Sequence, residues 1–399
     1  MELAQPVMRD SRKPLAGVRV IVTDAQSRLG LHVIRALGRA GCRVTAVASS
    51  DAKAVVGFSS RYATERVRLP PGKYSAALRE GMKSLAPRHD VVVPISTLSI
   101  ALVLDSSDTE IRHYLPTPDA LRVALNKTAT MRAAEEAGVS IPRTFYGLTP
   151  ETIAAWADEA DGKFPLVVKF ADDRRSGAWE PADRYRIVRS ASELVREYTR
   201  MSQLVTHEYP LVQEYIEGDG YGFFAITNSS GDPFAIFGHR RLREYPISGG
   251  PSTLCESYHD EELVEAGTRL LRALKWRGLA MVEFKRDRVS GDYKLMEINP
   301  RFWGSLPLAI QCGVNFPAYQ VQLALGMPPQ VSEKFPVGKK MRYFFTDALA
   351  VLQHFRTGDR RTVATQYLRE LLDFSIRDGF FDMRDPLPFV AYLWGKVRR

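Results

Sequence analysis

The stretch KLMEINPRFWGS, residues 294–305, begins like a buried β-strand but carries polar groups that a buried strand avoids. Glu297 and Asn299 alternate with aliphatic residues, and the strand pattern ends at Pro300, directly before Arg301. Because side chains alternate across a strand, the carboxylate and the amide project from the same face. Buried polar groups need partners, so this face is predicted to meet a charged ligand instead of a hydrophobic core.

Residues 279–300 are predicted to form a β-hairpin with its turn around residues 288–292. In this pairing Glu283 lies opposite Glu297, and Met281 and Asn299 share their face. The other face is predicted to pack on a core and carries Val282, Phe284, Met296 and Ile298.

Directly opposed residues have Cβ atoms roughly 4.5–5.5 Å apart, so Glu283 and Glu297 repel each other unless one is protonated or a cation lies between them. A divalent cation that prefers oxygen ligands, such as Mg²⁺, would relieve this repulsion. A solvated hairpin face, where glutamate is common, is the alternative.

Two lysines upstream indicate an anionic partner. Lys169 interrupts the apolar strand 164–171, where a lysine is costly to bury without an anion. Lys127 follows Asn126 at the start of a predicted helix, near the positive end of its dipole. The segment QEYIEGDGYG, residues 213–222, is predicted to leave a strand through a glycine-rich turn whose backbone can bind a purine. Together these features predict a nucleotide triphosphate site, although each lysine alone is also typical of a snorkelling surface residue.

Residues 18–95 alternate apolar strands with amphipathic helices, the pattern of a parallel, doubly wound sheet. Strands are predicted at 18–22, 43–49 and 90–95. The first turn, TDAQSRLG, contains only Gly30 where a dinucleotide site needs three spaced glycines. This disfavours a nicotinamide oxidoreductase, and Gly30 is expected to serve the structure.

The composition bounds the remaining possibilities. A chain of 399 residues suits two or three domains, and 45% hydrophobic and 25% charged residues are typical of a soluble globular protein. No apolar stretch approaches the roughly 20 residues that span a bilayer, and the N-terminus lacks the apolar core of a signal peptide. The three cysteines make no metal-ligand spacing. We therefore expect a cytoplasmic protein without a transmembrane segment.

The net charge of +9 fits an anionic partner. Because the basic residues are spread along the chain, a nucleotide is favoured and no nucleic acid is expected. The last twelve residues, PFVAYLWGKVRR, mix aromatic and basic side chains. A docked terminal helix is expected there, with contact to a membrane surface as the alternative.

Lys127, Lys169, the run QEYI at 213–216, Glu283 and the run EINPR at 297–301 follow one another along the chain. In this order they resemble the ATP-grasp superfamily, and within it the carbamoyl-phosphate-synthase-like carboxylate–amine ligases. The resemblance covers about residues 15–325, and its specific part is the E-x-N-P-R element with the upstream carboxylate.

The resemblance implies an α/β and α+β fold of three parts. An N-terminal Rossmann-like, pre-ATP-grasp domain with a parallel sheet is expected over residues 1–115. An ATP-grasp domain of two subdomains that clamp ATP is expected over residues 116–325, and a mainly helical C-terminal region over residues 326–399.

The resemblance also implies roles for the matching residues. Lys127 and Lys169 would hold the ATP phosphates. Glu283, Glu297 and Asn299 would coordinate Mg²⁺, for which Mn²⁺ is a candidate substitute.

The same resemblance assigns the base and the ribose. The backbone of Glu214 and Ile216 would bind adenine, with the Gln213 side chain beside it. The ribose carboxylate would be Glu217 or Asp219, which lie on the glycine-rich segment.

The chemistry is expected to involve a group of basic and hydroxyl side chains. Arg301 would face the transferred phosphoryl group with help from Ser305. Arg241 and Arg243, expected on one strand face before the Gly-Gly loop at 249–250, resemble the basic element on the acyl-acceptor side.

The loop DDRRSGAW, residues 172–179, departs from the family pattern because it has one glycine where many relatives have a glycine-rich phosphate flap. The single glycine is Gly177. Arg174, Arg175 and Ser176 are candidates to replace some of the missing backbone contacts.

The implied reaction joins a small-molecule carboxylate to an amine. The carboxylate attacks the γ-phosphate, and the amine then attacks the acyl phosphate, which releases ADP and phosphate. The alternatives are a bicarbonate-using carboxylase or carbamoyl-phosphate-type enzyme and a non-catalytic nucleotide-binding module. A homodimer is compatible with either reading.

Overall fold

A computed structural model describes residues 14–106, 110–160, 163–172, 185–205, 208–247, 249–332, 334–357 and 360–397. Within these residues the chain forms three β-sheets flanked by helices. The combination of a parallel N-terminal sheet, two further sheets and a C-terminal group of helices confirms the fold class predicted from the sequence.

The first sheet is parallel, as the alternation of strands and helices predicts. Its strands, in the spatial order β3-β2-β1-β4, are β1 (Arg19–Val22), β2 (Arg43–Ala48), β3 (Ala63–Arg68) and β4 (Val91–Val93). Its helices are α1 (Arg28–Arg39), α2 (Tyr74–Leu85) and α3 (Thr97–Leu104). Val20 and Ile21, adjacent in β1, belong to hydrophobic clusters on opposite faces, which explains why the central strands are continuous apolar runs. The unpredicted strand β3 lies at the sheet edge, where alternating charged residues face solvent.

A small antiparallel sheet follows two helices, α4 (Pro118–Leu125) and α5 (Lys127–Glu136). Its strands, in the order β5-β8-β6-β7, are β5 (Thr144–Phe145), β6 (Leu166–Lys169), β7 (Tyr185–Val188) and β8 (Leu211–Glu214). Helices α6 (Ile153–Glu159) and α7 (Ala191–Ser202) contribute to the cluster that buries Val168 and Val212. Lys169 and Gln213 lie on the opposite face because side chains alternate along β6 and β8.

The largest sheet has seven strands in the order β13-β12-β9-β10-β11-β14-β15. They are β9 (Gly218–Thr227), β10 (Pro233–Glu244), β11 (Ser252–Ser257), β12 (Gly278–Asp287), β13 (Tyr293–Asn299), β14 (Lys340–Arg342) and β15 (Arg377–Asp378). Helix α8 (Glu261–Ala273) packs on the face that buries Phe223 and Val282. On the other face Phe224 and Met281 join a cluster with Trp303 and the helices α9 (Leu306–Gln311) and α10 (Phe316–Ala324).

The hairpin β12–β13 has the predicted register, with Glu283 opposite Glu297 and Met281 opposite Asn299. A β-bulge then shifts the pairing, so that Phe284 lies opposite Leu295. The prediction that Met296 packs on the core is therefore wrong, because the extra residue of a bulge interrupts strict alternation. Leu295 is fully buried in its place, beside Val282, Phe284 and Ile298, whereas Met296 is half-buried.

The C-terminal region contains α11 (Phe344–Thr357), α12 (Arg360–Leu372) and α13 (Leu387–Val397). It is mainly helical, as predicted, but its two short strands also extend the largest sheet. Among the helices of the described residues, none has both the length and the apolar character needed to cross a membrane.

Candidate active site

The polar face of the hairpin lies in one row of the largest sheet. Glu297, Glu283, Gly222 and His239 are successive cross-strand neighbours on β13, β12, β9 and β10. A Cβ atom on Gly222 would lie 2.9 Å from the Nε2 atom of His239. The glycine therefore leaves the room that the histidine ring occupies.

The glycine-rich segment at 218–222 is the beginning of β9 and not a turn, which corrects the sequence prediction. A Cβ atom on Gly220 would lie 2.9 Å from the Cδ atom of Arg241. Glycine is needed here because the Arg241 side chain crosses over β9 towards β12. The absence of a Cβ thus lets a guanidinium group reach the paired carboxylates.

The Asn299 amide links the two opposed glutamates. Its Nδ2 atom lies 2.8 Å from Oε1 of Glu297 and 3.4 Å from Oε1 of Glu283. Arg241 forms a close ion pair with Glu283, and both side chains are more than four-fifths buried. The predicted pair of carboxylates with an adjacent amide is therefore present, and the guanidinium group of Arg241 lies beside Glu283.

The two carboxylates differ in their pKa values. Burial raises the pKa of Glu283, and the negative charge of Glu297 raises it further, against the opposing effect of Arg241. Burial also acts to raise the pKa of Glu297, but Lys127, the Asn299 hydrogen bond and Arg301 outweigh it and lower that pKa. Glu297 is therefore the carboxylate that remains ionised, and Glu283 is the one that takes up a proton more readily.

Lys169 faces this pair from the small sheet. Burial lowers the pKa of Lys169 to about 8, and the charge of Lys127 lowers it further, whereas Glu297 and Glu283 raise it. Within the described ranges, no carboxylate lies within ion-pair distance of the Lys169 ammonium group. Two lysines close to a carboxylate pair suit a polyanion that is bound together with a metal ion, because the lysines can pair with the anion and the carboxylates with the metal.

Lys127 is held in place by the start of α5. The side chain of Asn126 caps the helix by accepting a hydrogen bond from the Ala129 backbone N–H at 2.7 Å. The backbone N–H of Lys127 donates to the Ala171 carbonyl, 2.6 Å away, two residues beyond Lys169. Helix α5 and the end of β6 thus bring together lysines that are 42 positions apart in the sequence.

The predicted base-binding segment is engaged by protein groups. The backbone N–H of Glu214 donates to the Arg143 carbonyl, and the Glu214 carboxylate accepts from the Arg143 N–H at 2.8 Å. Gln213 is buried on the same face as Lys169 and donates to Thr144 Oγ1 at 2.8 Å. Glu214 therefore cannot offer its N–H to adenine while β8 keeps these contacts.

The Ile216 carbonyl already has a donor in Lys285, whose Nζ atom lies 3.1 Å away. Lys285 is not among the site residues predicted from the sequence. The spacing of the sequence could have indicated Lys285, because it lies two residues after Glu283 in β12. The two side chains would share a face in a regular strand. Lys285 also lies over the Tyr215 ring, at 5.2 Å from the ring centre.

Both candidate ribose carboxylates have arginine partners. The exposed Glu217 pairs with Arg288 at 2.7 Å, and Asp219 pairs with Arg240 at 2.7 Å. These contacts therefore do not distinguish which of the two carboxylates would bind the ribose.

The predicted partnership of Arg241 and Arg243 is wrong for Arg243. A register shift separates the two residues in β10, and Arg243 forms two hydrogen bonds of 2.8 Å to the fully buried Asp347. It also pairs with Glu370 at 2.5 Å. Arg243 thus joins β10 to α11 and α12, whereas Arg241 alone reaches the carboxylates.

Ser305 and Arg301 flank the same region. Ser305 lies beside the buried His239, with 2.7 Å between its Oγ atom and Nδ1 of the imidazole. Burial, together with Arg241, holds the pKa of His239 well below its usual value, so the ring is neutral. The half-buried Arg301 donates to the Phe302 carbonyl at 3.0 Å. Its charge helps to lower the pKa of Glu297 and opposes the rise in the pKa of Glu283. His239 was also missed, although it alternates with Arg241 in the sequence GHRR.

Two loops complete the comparison with the sequence predictions. Gly249 and Gly250 do allow a close backbone approach, but the groups close to them are Tyr185 and the Tyr245 carbonyl. The proposed replacements for the phosphate flap, Arg174, Arg175 and Ser176 with Gly177, lie outside the described residues.

The donor set suits Mg²⁺ and a polyphosphate. Glu283, Glu297 and Asn299 offer hard oxygen ligands, and Mg²⁺ is usually bound by one or two carboxylates together with substrate phosphates. Within the described parts of the chain, no group of three or more histidine, cysteine, aspartate and glutamate residues forms a separate metal site. The buried Nε2 of His239 and Nε of Arg241 have no hydrogen-bond partner among the described residues.

Comparison with known proteins agrees with this geometry. Residues 207–345 match the model of a family described as ATP-grasp in the biosynthetic pathway with Ter operon. Acetyl-CoA carboxylase 1 from Oryza sativa subsp. japonica is 32% identical over 90 residues, which are 22% of this chain and 4% of that protein. The chain thus spans only a small fraction of the length of the carboxylases that it matches in this way.

Two solved structures show the same fold over most of the chain. A biotin carboxylase from Campylobacter jejuni has a TM-score of 0.65 and 16% identity, over 81% of this chain and 74% of that one. An N5-carboxyaminoimidazole ribonucleotide synthetase has a TM-score of 0.62 and 16% identity, over 83% of this chain and 82% of that one. Together with the match of residues 207–345 to that family model, these likenesses show that the chain has an ATP-grasp fold.

Proposed function

We propose that the protein is an ADP-forming ligase that activates a small-molecule carboxylate with ATP and joins it to an amine. The observation that carries this proposal is the opposition of Glu283 and Glu297 beneath Lys127 and Lys169. This arrangement suits a nucleotide triphosphate with a divalent cation between its phosphates.

Each side chain contributes through charge and position. Lys127 and Lys169 would bind the phosphates from the α5 and β6 side of the cleft. Glu297, the more acidic carboxylate, and the Asn299 oxygen would hold Mg²⁺ with Glu283. The bound Mg²⁺ would neutralise phosphate charge and orient the γ-phosphate for attack.

The protein supplies electrostatic stabilisation instead of a nucleophile. Arg301 and Arg241 both act electrostatically on the carboxylates, so they would be close enough to stabilise negative charge on the transferred phosphoryl group. The neutral His239 ring, hydrogen-bonded to Ser305, keeps one ring nitrogen without a partner among the described residues. Attack of the substrate carboxylate on the γ-phosphate would give an acyl phosphate and ADP. An amine bound next to this site would then displace the phosphate and form the amide.

Bicarbonate is a second candidate for the activated acid. The similarity to a biotin carboxylase and to an N5-carboxyaminoimidazole ribonucleotide synthetase favours it, because both proteins are named for carboxylation chemistry. Bicarbonate is itself an oxyacid, so the same metal and phosphate contacts would serve.

The test is a screen of acid and amine pools for ADP release, with Glu297→Gln protein as the background. Acid-dependent ADP release that needs an amine for turnover supports the ligase. Release that needs bicarbonate and no other acid favours the second candidate. Absence of ATP turnover with every pool, despite ATP binding, would indicate a non-catalytic nucleotide-binding module.

A further inference from the structure

Helix α11 carries large apolar residues on the side turned away from the protein. Its inner side is formed by Asp347, Ala350 and Val351, which are all buried. Phe345, Leu349 and Leu352 follow at helical spacing on another side and are 45%, 44% and 56% exposed. The helix is therefore apolar on two sides, and only one of them packs on the protein.

Helix α13 repeats this pattern. Its inner residue Phe389 stacks on Phe345, with 6.0 Å between the ring centres, which joins the two helices. Leu387 and Val390, one turn apart on the outer side, are 61% and 57% exposed. Because this ring contact joins the two helices, we group their exposed apolar side chains under one name, the C-terminal apolar face, which consists of Phe345, Leu349, Leu352, Leu387 and Val390.

Such a face is unusual for a protein surface in water. A helix that is apolar on all sides is normally buried, and contiguous apolar patches of this kind mark interaction sites. The outer positions of a terminal helix that only docks on its own protein would carry polar residues. The C-terminal apolar face is therefore expected to have a partner.

The border of the face is positively charged. A groove of about 650 Å³ beside Leu387 is lined by Arg61 and Arg384, both exposed. Among the described residues neither guanidinium forms an ion pair with a carboxylate. The two nearby aspartates are neutralised, since Asp382 pairs with Arg39 and Asp385 pairs with Arg35. An anionic partner would thus find uncompensated cations next to exposed aliphatic side chains.

We propose that the C-terminal apolar face docks on the surface of an anionic lipid bilayer. Aliphatic and aromatic side chains would enter the boundary between headgroups and acyl chains, and the two arginines would contact lipid phosphates. A second copy of the chain fits less well. A two-fold contact sets a patch against the same patch, which would bring like charges of Arg61 and Arg384 together.

The test is sedimentation of the full-length protein with vesicles. Vesicles of phosphatidylcholine containing phosphatidylglycerol should carry the protein down, phosphatidylcholine alone should not, and added salt should weaken the binding. Leu387→Ser combined with Val390→Ser should lower partitioning at least tenfold by removing apolar burial. Arg61→Gln and Arg384→Gln should each lower it about fivefold.

Val337→Ser is the matched control, because Val337 is 59% exposed and lies outside the face. It should leave vesicle binding unchanged. The double serine variant should unfold at the same or a higher temperature than the parent, since it replaces exposed apolar groups.

Three results would overturn the proposal. They are a failure of the parent protein to sediment with the anionic vesicles, undiminished binding by the double serine variant, and an equal loss with Val337→Ser. A parent dimer that the double serine variant converts to a monomer would likewise overturn it, by showing that the face is covered by a second chain.

Discussion

Glu283 and Glu297 lie directly opposite each other on β12 and β13, and the amide of Asn299 contacts both carboxylates. Arg241 pairs with Glu283, Lys127 favours the ionised form of Glu297, and Arg301 acts on both carboxylates. Opposed carboxylates are destabilising unless a proton or a cation separates them. The different surroundings lower the pKa of one carboxyl and raise that of the other, which leaves one ionised ligand ready for a metal ion.

Replacing Glu297 by glutamine should lower Mg²⁺-dependent ATP turnover by at least about 100-fold, because it removes the ionised carboxylate. The fold should survive, since glutamine keeps the size of the side chain and relieves the repulsion with Glu283. Turnover can be measured as ADP release at a fixed Mg²⁺ concentration. Glu261→Gln, at the exposed start of α8, is the control and should be neutral. Parental turnover in the Glu297 variant would refute the assignment of the metal site.

Lys169→Met should weaken ATP binding by at least about tenfold while the unfolding temperature holds or rises. The methionine keeps the aliphatic part of the side chain and removes a charge that burial disfavours. Calorimetric titration and thermal unfolding measure the two quantities. Lys163→Met, at an exposed lysine of the same small-sheet region, should change neither. Unchanged ATP affinity in the Lys169 variant would mean that this lysine does not contact phosphate.

The lowered pKa of Lys169, about 8 against an ordinary 10.5, predicts a pH dependence of ATP binding. The ammonium group is charged below pH 8 and loses its proton as the pH rises through that value, so affinity should fall between pH 7 and pH 9. Lys169→Arg should flatten this dependence because a guanidinium stays charged. A parent profile as flat as that of the arginine variant would contradict the prediction.

The lowered pKa of Lys169 also predicts how the unfolding free energy changes with pH. Between pH 8 and pH 10.5 the unfolded chain binds more protons at Lys169 than the folded protein does. This group therefore makes the folded protein more stable as the pH rises through that range. Lys169→Met should remove this contribution, which urea unfolding at two pH values can measure.

Arg241 and Arg243 should give opposite results when each is replaced by methionine. Arg243→Met leaves Asp347 buried without its partner and should cost about 3–5 kcal/mol of unfolding free energy. Arg241→Met should mainly reduce ATP turnover, because Arg241 contacts Glu283, which we propose as a metal ligand. Urea unfolding and ADP release distinguish the two. A stable Arg243 variant with no activity would restore the role first predicted for it.

The features that follow from local periodicity could be predicted from the sequence. The alternation of side chains in β12 and β13 was enough to place Glu283 opposite Glu297 and Met281 opposite Asn299. The bulge that buries Leu295 in place of Met296 was not predictable, because both residues are apolar and a bulge leaves no compositional signal here.

Features that depend on distant residues could not be predicted in the same way. The partner of Arg243 is 104 residues further along the chain, in a helix whose docking on β10 is a tertiary event. The glycines at 220 and 222 read as turn residues, but they serve to let Arg241 and His239 cross a strand. His239 and Lys285, by contrast, alternate with the predicted site residues Arg241 and Glu283. Their places on the same strand faces could therefore have been predicted from the sequence.

The most direct test of the central claim is the trapping of the activated acid. When the correct acid is found, hydroxylamine should replace the amine and give a hydroxamate, with one ADP and one phosphate released for each hydroxamate formed. Glu283, Glu297 and Asn299 would hold Mg²⁺ in the proposed site, and the positive charge there and at Arg301 would favour attack at the γ-phosphorus, which yields these products. Formation of AMP and pyrophosphate, or of hydroxamate without the acid, would contradict the account.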